Sequence, residues 1–157
     1  MTSSDLPTIR LKPTAKPQAI RRGFPWVYSN ELVLDRRTRA LPAGSVVRLE
    51  DSARSYLRMV ALTPDSKIAA RVLDLEENGL PDRAWLTLRL QRALDLRARL
   101  YDAPFYRLVH AEADGLPGVI IDRFADICVI QPNAAWAERV LPALTEALIE
   151  VTGVTTI

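Results

Sequence analysis

The sequence predicts an α+β chain in two parts: an N-terminal small β-barrel, then an α+β domain that stops before it is complete. Three observations carry this reading. Apolar residues alternate with a period near 2 up to Leu75 and recur with a period near 3.6 from Leu86. The link between them, residues 76–81, is polar and contains Gly79 and Pro81. Finally, 157 residues with 48% hydrophobic and 25% charged content have the balance of a core-forming globular chain of one or two domains.

Residues 1–7 (Met-Thr-Ser-Ser-Asp-Leu-Pro) are expected to be a flexible start, and they lack the basic-then-apolar pattern of a secretory signal. Ile9 and Leu11 mark a first strand. Lys16-Pro17-Gln18-Ala19-Ile20-Arg21-Arg22 places Pro at a first helical position and two cations in the last turn. Gly23 ends that helix by supplying a left-handed residue, and Pro25 prevents continuation. Strands are expected over 46–50, 56–62 and 67–73, separated by Asp51-Ser52-Ala53 and Thr63-Pro64-Asp65-Ser66. Residues 8–75 then form a barrel of four to six strands.

In residues 76–157, Asp82 is expected to cap a helix to about Tyr101, with Leu86, Leu90, Ala93, Leu94 and Leu100 on one face. Strands follow over 105–112, 118–124 and 127–131. Asn133 is expected to cap a last helix, which Pro142 bends or splits and Gly153 closes. Val154-Thr155-Thr156-Ile157 reads as a strand just begun, so the domain is expected to be truncated at its C-terminal end, with an edge through which two copies could pair as a homodimer.

Net charge is +2, but residues 1–75 hold 13 Lys+Arg against 7 Asp+Glu while the remainder holds 8 against 12. The basic half therefore favours an anionic partner. No apolar run approaches the roughly 18 to 20 residues of a membrane helix, so no membrane partner and a cytoplasmic location are expected. One cysteine, Cys128, and one histidine, His110, exclude a disulfide scaffold and a zinc-finger framework.

Two constellations could carry function. In the first, Lys12, Lys16, Arg21 and Arg22 precede Gly23-Phe24-Pro25-Trp26-Val27-Tyr28, and Arg36, Arg37 and Arg39 follow. Cations can hold phosphate while Trp26 or Tyr28 stacks on an unpaired base, which suits single-stranded RNA. The bland alternative is a barrel plug at Trp26 and a solvated arginine face. In the second, Glu112 and Asp114 share a face if the chain is extended, and Asp122 returns beside them. Such carboxylates could hold a divalent metal in an autonomous enzyme, yet Asp114-Gly115 and Pro117-Gly118 are turn dipeptides, Arg107 or Arg123 could pair with them, and no metal is expected. Cys128 lies in an alternating strand and reads as an inert core thiol. Gly115 and Gly118 lack the strand-loop-helix frame of a dinucleotide site, so neither catalytic nor cofactor-binding residues are expected in this chain.

Three stretches resemble one family: Gly23-Phe24-Pro25-Trp26-Val27-Tyr28 after a basic helix, Pro64-Asp65-Ser66-Lys67-Ile68-Ala69-Ala70-Arg71, and Arg107-Leu108 through Glu112-Ala113-Asp114-Gly115-Leu116-Pro117-Gly118 to Asp122-Arg123-Phe124. From about Ile9 to Ile157 the chain resembles the N-terminal part of the S-adenosylmethionine (SAM)-dependent large-subunit ribosomal RNA cytosine-C5 methyltransferases. That resemblance implies a PUA domain over residues 8–75, an RNA-binding barrel, and an incomplete central α+β domain over residues 76–157. It implies that the Rossmann-like catalytic domain, the SAM site and the catalytic cysteine are absent from this chain, which alone would be inactive. Ribosomal RNA is the implied partner, held by Lys12, Lys16, Arg21, Arg22, Trp26, Tyr28, Arg36 and Arg37.

Overall fold

A computed structural model describes residues 6–157; the expected flexible start lies, for residues 1–5, outside the described residues. The chain divides into two compact units, one ending at Leu80 and the other beginning at Pro81.

The first unit holds β1 (Thr8–Arg10), α1 (Pro17–Arg21), β2 (Trp26–Tyr28), α2 (Arg36–Arg39), β3 (Ser45–Glu50), β4 (Tyr56–Leu62) and β5 (Ile68–Leu73). The strands lie in the order β1-β3-β4-β5-β2, parallel between β1 and β3 and antiparallel elsewhere. The two outer strands meet: Leu11 bridges Leu32, the Lys12 N–H donates to the Glu31 carbonyl at 2.8 Å and the Val33 N–H to that of Arg10 at 2.9 Å. The sheet thereby closes on itself, which satisfies edges that would otherwise be exposed. Ile9, Leu11, Val27, Leu32, Val47, Leu49, Val60 and Leu62 fill its interior, with Ile20 of α1 buried among them.

The second unit comprises α3 (Arg83–Leu100), β6 (Phe105–His110), β7 (Val119–Phe124), β8 (Ile127–Pro132), α4 (Ala135–Arg139) and α5 (Leu141–Thr152). β6, β7 and β8 form an antiparallel meander. Asp82 caps α3, its carboxylate accepting the Trp85 N–H at 2.8 Å. Leu86, Leu90, Leu108, Ile121, Trp136, Leu144 and Leu148 form the core.

Several sequence expectations change here. Leu100, the last residue of α3, is 63% exposed, because the buried face of the helix ends at Ala93; that face includes Arg89, whose buried guanidinium lies 4.8 Å from the Trp85 ring centre. The strand expected over 105–112 stops at His110, and Ala111–Asp114 is a single 3₁₀ turn closed by Gly115 at φ +73°. Asn133 does not cap α4: its N–H is held by the Gly118 carbonyl at the end of the β7–β8 ladder, and Ala134 takes the cap position without a side-chain bond. Gly118 is irreplaceable there on two counts, a φ of +75° and a Cβ position 2.6 Å from the Ala134 Cβ. The expected split by Pro142 falls between α4 and α5 at Val140. Residues 154–157 begin to pair in parallel with β8, through a bridge between Ile127 and Thr156.

Candidate nucleic-acid interface

The aromatic half of the first constellation is placed by the end of α1. Gly23 at φ +99° donates its N–H to the Ile20 carbonyl (3.1 Å), and the Phe24 N–H reaches the Ala19 carbonyl (2.9 Å). This pair of bonds is a Schellman closure, which turns the chain sharply out of the helix. Extended backbone then puts alternate residues on one side. Val27 is fully buried, whereas Phe24, Trp26 and Tyr28 face outward together. Phe24 lies 6.2 Å from Trp26, edge to face, and 6.4 Å from Tyr28. Phe24 is 40% and Tyr28 37% exposed, so three rings form a ridge with accessible faces, and Trp26 is half-buried at its base rather than a plug in the barrel. Arg71, which the sequence reading did not select, pairs directly with Trp26 across β2 and β5.

The cations fall into three groups. Arg21 is bound to Asp51 at 3.0 Å, so part of its charge is already answered. Asp51 is in turn held below the ordinary carboxylate range, chiefly by the Ser55 backbone N–H, with the Arg21 charge assisting. Lys12, Lys16, Arg22, Arg36 and Arg37 are exposed, and none forms an ion pair with another described residue. Arg36 and Arg37 occupy α2, a turn of helix the sequence reading did not anticipate. Its cap is Asp35, whose carboxylate accepts the Thr38 N–H at 2.8 Å and is held low mainly by that bond.

Two hollows adjoin at Asn30. The smaller, about 400 Å³, is lined by Lys16, Ala19, Phe24 and Glu31; the larger, about 670 Å³, by Lys12, Asp35, Arg39 and the β4–β5 turn from Pro64 to Lys67. Arg36 and Arg37 line neither.

The second constellation does not assemble. Asp114 sits in the 3₁₀ turn and accepts two bonds from Arg97, at 2.8 and 2.7 Å, plus the His110 N–H at 2.7 Å. Asp122 is bound by Arg107 at 2.9 and 3.3 Å, and that hydrogen bond, then the carboxylate's charge, raises the Arg107 pKa. Asp114 and Asp122 are thus engaged by different arginines, Glu112 lies in the 3₁₀ turn with Asp114, and the described residues contain no group of three or more His, Cys, Asp or Glu arranged to hold a metal. The metal-dependent reading is therefore corrected by the two arginine clamps; Arg97, one turn from the end of α3, was the partner that the sequence reading missed. Cys128 is buried, and burial pushes its thiol pKa up, with the Arg123 charge opposing.

A Rossmann-type site for a cofactor such as SAM is built from a strand, a glycine-rich loop and a helix in succession. Among the described residues β8 leads into a helix, through Asn133 and Ala134, with no glycine between; Gly115 and Gly118 lead instead into β7. These residues do not fit SAM. No helix is long and apolar enough to cross a membrane among the described residues.

Residues 9–75 match the family model of the PUA-like domain. The chain is 39% identical over 136 residues to the ribosomal RNA large subunit methyltransferase I of Cronobacter sakazakii, and 36% identical over 138 residues to that of Aliivibrio fischeri. A third such protein, from Klebsiella pneumoniae, is 35% identical over 151 residues, 94% of this chain. This chain spans about a third of the length of these relatives, 34% of the first two and 37% of the third. Its fold is that of a candidate SAM-dependent methyltransferase from Streptococcus mutans, with a TM-score of 0.78 at 17% identity, over 95% of this chain and 39% of that one. A candidate methyltransferase solved with SAH matches equally, covering 38% of its chain. The first unit accordingly carries a PUA-like domain, and the chain as a whole is similar to about a third of the ribosomal RNA large subunit methyltransferases I.

Proposed function

We propose that this chain is the RNA-binding and positioning portion of a SAM-dependent ribosomal RNA methyltransferase acting at cytosine C5, corresponding to the N-terminal part of such an enzyme. Residues 8–75 bind RNA, and residues 76–157 form a central α+β domain. The observation that carries the reading is the ridge of Phe24, Trp26 and Tyr28 set beside exposed, unpaired Lys16 and Arg22 on a PUA-like barrel. Rings with accessible faces accept unpaired bases, and free cations fix the backbone that carries them.

In this reading Lys12, Lys16, Arg22, Arg36 and Arg37 contact phosphate, with Arg21 a weaker contributor because Asp51 competes for it. Trp26 and Tyr28 stack on bases. Methyl transfer to C5 requires the target base to leave its stack, and this chain's part is to hold the flanking strand so that the extracted base is presented elsewhere. No residue of the chain is assigned to catalysis or to SAM. The compartment is the cytoplasm, where ribosomal RNA is available.

The test is a paired charge reversal. Arg21→Glu with Arg22→Glu is expected to weaken binding of a structured ribosomal RNA fragment by at least tenfold, with the melting temperature little changed. Unchanged RNA affinity would overturn the placement on α1.

A further inference from the structure

We propose that the larger hollow, between residues 29–35 and the β4–β5 turn, is a binding site for one unpaired nucleotide of single-stranded RNA, entered from the aromatic ridge by way of Asn30. This inference rests on the RNA-binding reading, which already gives Lys12 a phosphate contact, and adds to it a nucleotide site whose lining includes neither α1 nor the aromatic rings.

The hollow measures about 670 Å³, within the roughly 300 to 1,000 Å³ typical of small-ligand sites. Its cations come from three separate stretches of chain: Lys12 after β1, Arg39 at the end of α2 and Lys67 before β5. The chain has only three lysines among its 21 cations, and all three border the two adjoining hollows. A bias toward arginine from base composition does not explain that placement. Lysine offers a compact charge with rotatable donors, which suits a phosphate held at a variable angle.

The backbone fixes two of these cations against one turn. The Lys12 N–H donates to the Glu31 carbonyl at 2.8 Å, and the Ser29 N–H donates to the Lys67 carbonyl at 2.9 Å. Both lysines are therefore anchored to the single 3₁₀ turn over Ser29–Glu31. Arg39 is anchored too, its Nε–H donating to the Leu34 carbonyl at 2.9 Å, which leaves its terminal N–H groups as donors. Asn30, exposed at the junction of the hollows, presents an amide able both to donate to and to accept from a base edge. Asp35 is already engaged by the Thr38 N–H, the Thr38 hydroxyl and the Arg37 N–H, so the Asn30 amide supplies the donor and acceptor for a base edge. Cations for phosphate and a mixed donor-acceptor pair for a base edge match a nucleotide better than a simple anion.

The experiment is a ¹H–¹⁵N NMR titration of the intact chain with an RNA trinucleotide, and separately with inorganic phosphate. It is joined to an anisotropy titration of a 12-nucleotide single-stranded RNA against the wild type and the Lys12→Glu, Lys67→Glu double variant. Expected are shifts concentrated in amides of residues 29–35 and 64–67 with the trinucleotide only, and a loss of at least tenfold in affinity for the variant. Equal shifts with phosphate alone would reduce the hollow to a general anion site and overturn the proposal. Wild-type affinity in the variant, or RNA binding without shifts at these amides, would overturn the hollow while leaving RNA binding by α1 intact. Failure of the wild type to bind any RNA would overturn the RNA-binding reading itself, and this site with it.

Discussion

Both units are rich in arginine and each pairs part of it with carboxylates, as Arg10, Arg21 and Arg48 do in the barrel, but the arginines of the two candidate constellations are used differently. In the barrel, Arg22, next to the accessible rings in the chain, and Arg36 and Arg37 on α2 stand exposed without ion-pair partners among the described residues. In the second unit Arg97 and Arg107 each grip a carboxylate through two nitrogens, and Arg89 is buried against Trp85. Charge that is already answered within the fold gives rigidity; charge left over is what a polyanion can use. Composition alone cannot distinguish the two, because the relevant variable is whether a carboxylate lies within reach.

The comparison is broken most forcefully at Asp114. Its ion pair with Arg97 is largely buried, with side chains 7% and 11% exposed, and removing one member of such a pair leaves an uncompensated charge. Asp114→Ala is expected to cost about 3 to 5 kcal/mol, seen by calorimetry as a lower transition for the second unit, with RNA affinity retained by the barrel. The reverse pattern, lost affinity with unchanged stability, would mean that the second unit holds the RNA.

A smaller effect sharpens the other side. Trp26→Ala removes a stacking surface worth about 1 to 3 kcal/mol per base, so RNA affinity should fall between about 5- and 150-fold. Because no phosphate contact is lost, the salt dependence should keep its slope; a flatter slope would show that Trp26 acts by positioning Arg71 or its neighbours.

The smallest effect concerns the inert thiol. Burial raises the Cys128 pKa above its ordinary value of 9.0. Below that value the folded and unfolded thiols are both protonated and nothing is gained or lost. As pH rises through it the unfolded chain ionises first, so stability declines. Native Cys128 should resist a thiol reagent at pH 8 and react on unfolding. Rapid native reaction would show an accessible, activated cysteine.

Much of the barrel was legible in sequence because its signals are local. Turn dipeptides bracket β3, β4 and β5, and Pro17 with Gly23 brackets α1. The aromatic ridge was half legible: residues 24, 26 and 28 share a side by simple alternation, but that Phe24 joins it follows from the Schellman closure. What depended on distant contacts was not readable. Ring closure through Leu11 and Leu32, the pairing of Arg71 with Trp26, and the capture of Asp114 by Arg97 all join residues at least 17 apart in the chain. Asn133 shows a local signal overridden: it still belongs to the end of the β7–β8 ladder, bonded to Gly118, so the helix begins one residue later and the cap position falls on Ala134. The hollow beside Asn30 joins four segments, and no local motif announces it.

The central claim, that unanswered cations and rings on the barrel bind RNA, is tested most directly by fluorescence anisotropy of the chain against a structured ribosomal RNA fragment across a salt series. Saturable binding with a log-log salt slope near −3, as expected for about four phosphates neutralised on single-stranded RNA, and stronger than to matched duplex DNA, is the predicted result. Absence of binding at tens of micromolar, or a flat salt dependence, would contradict it.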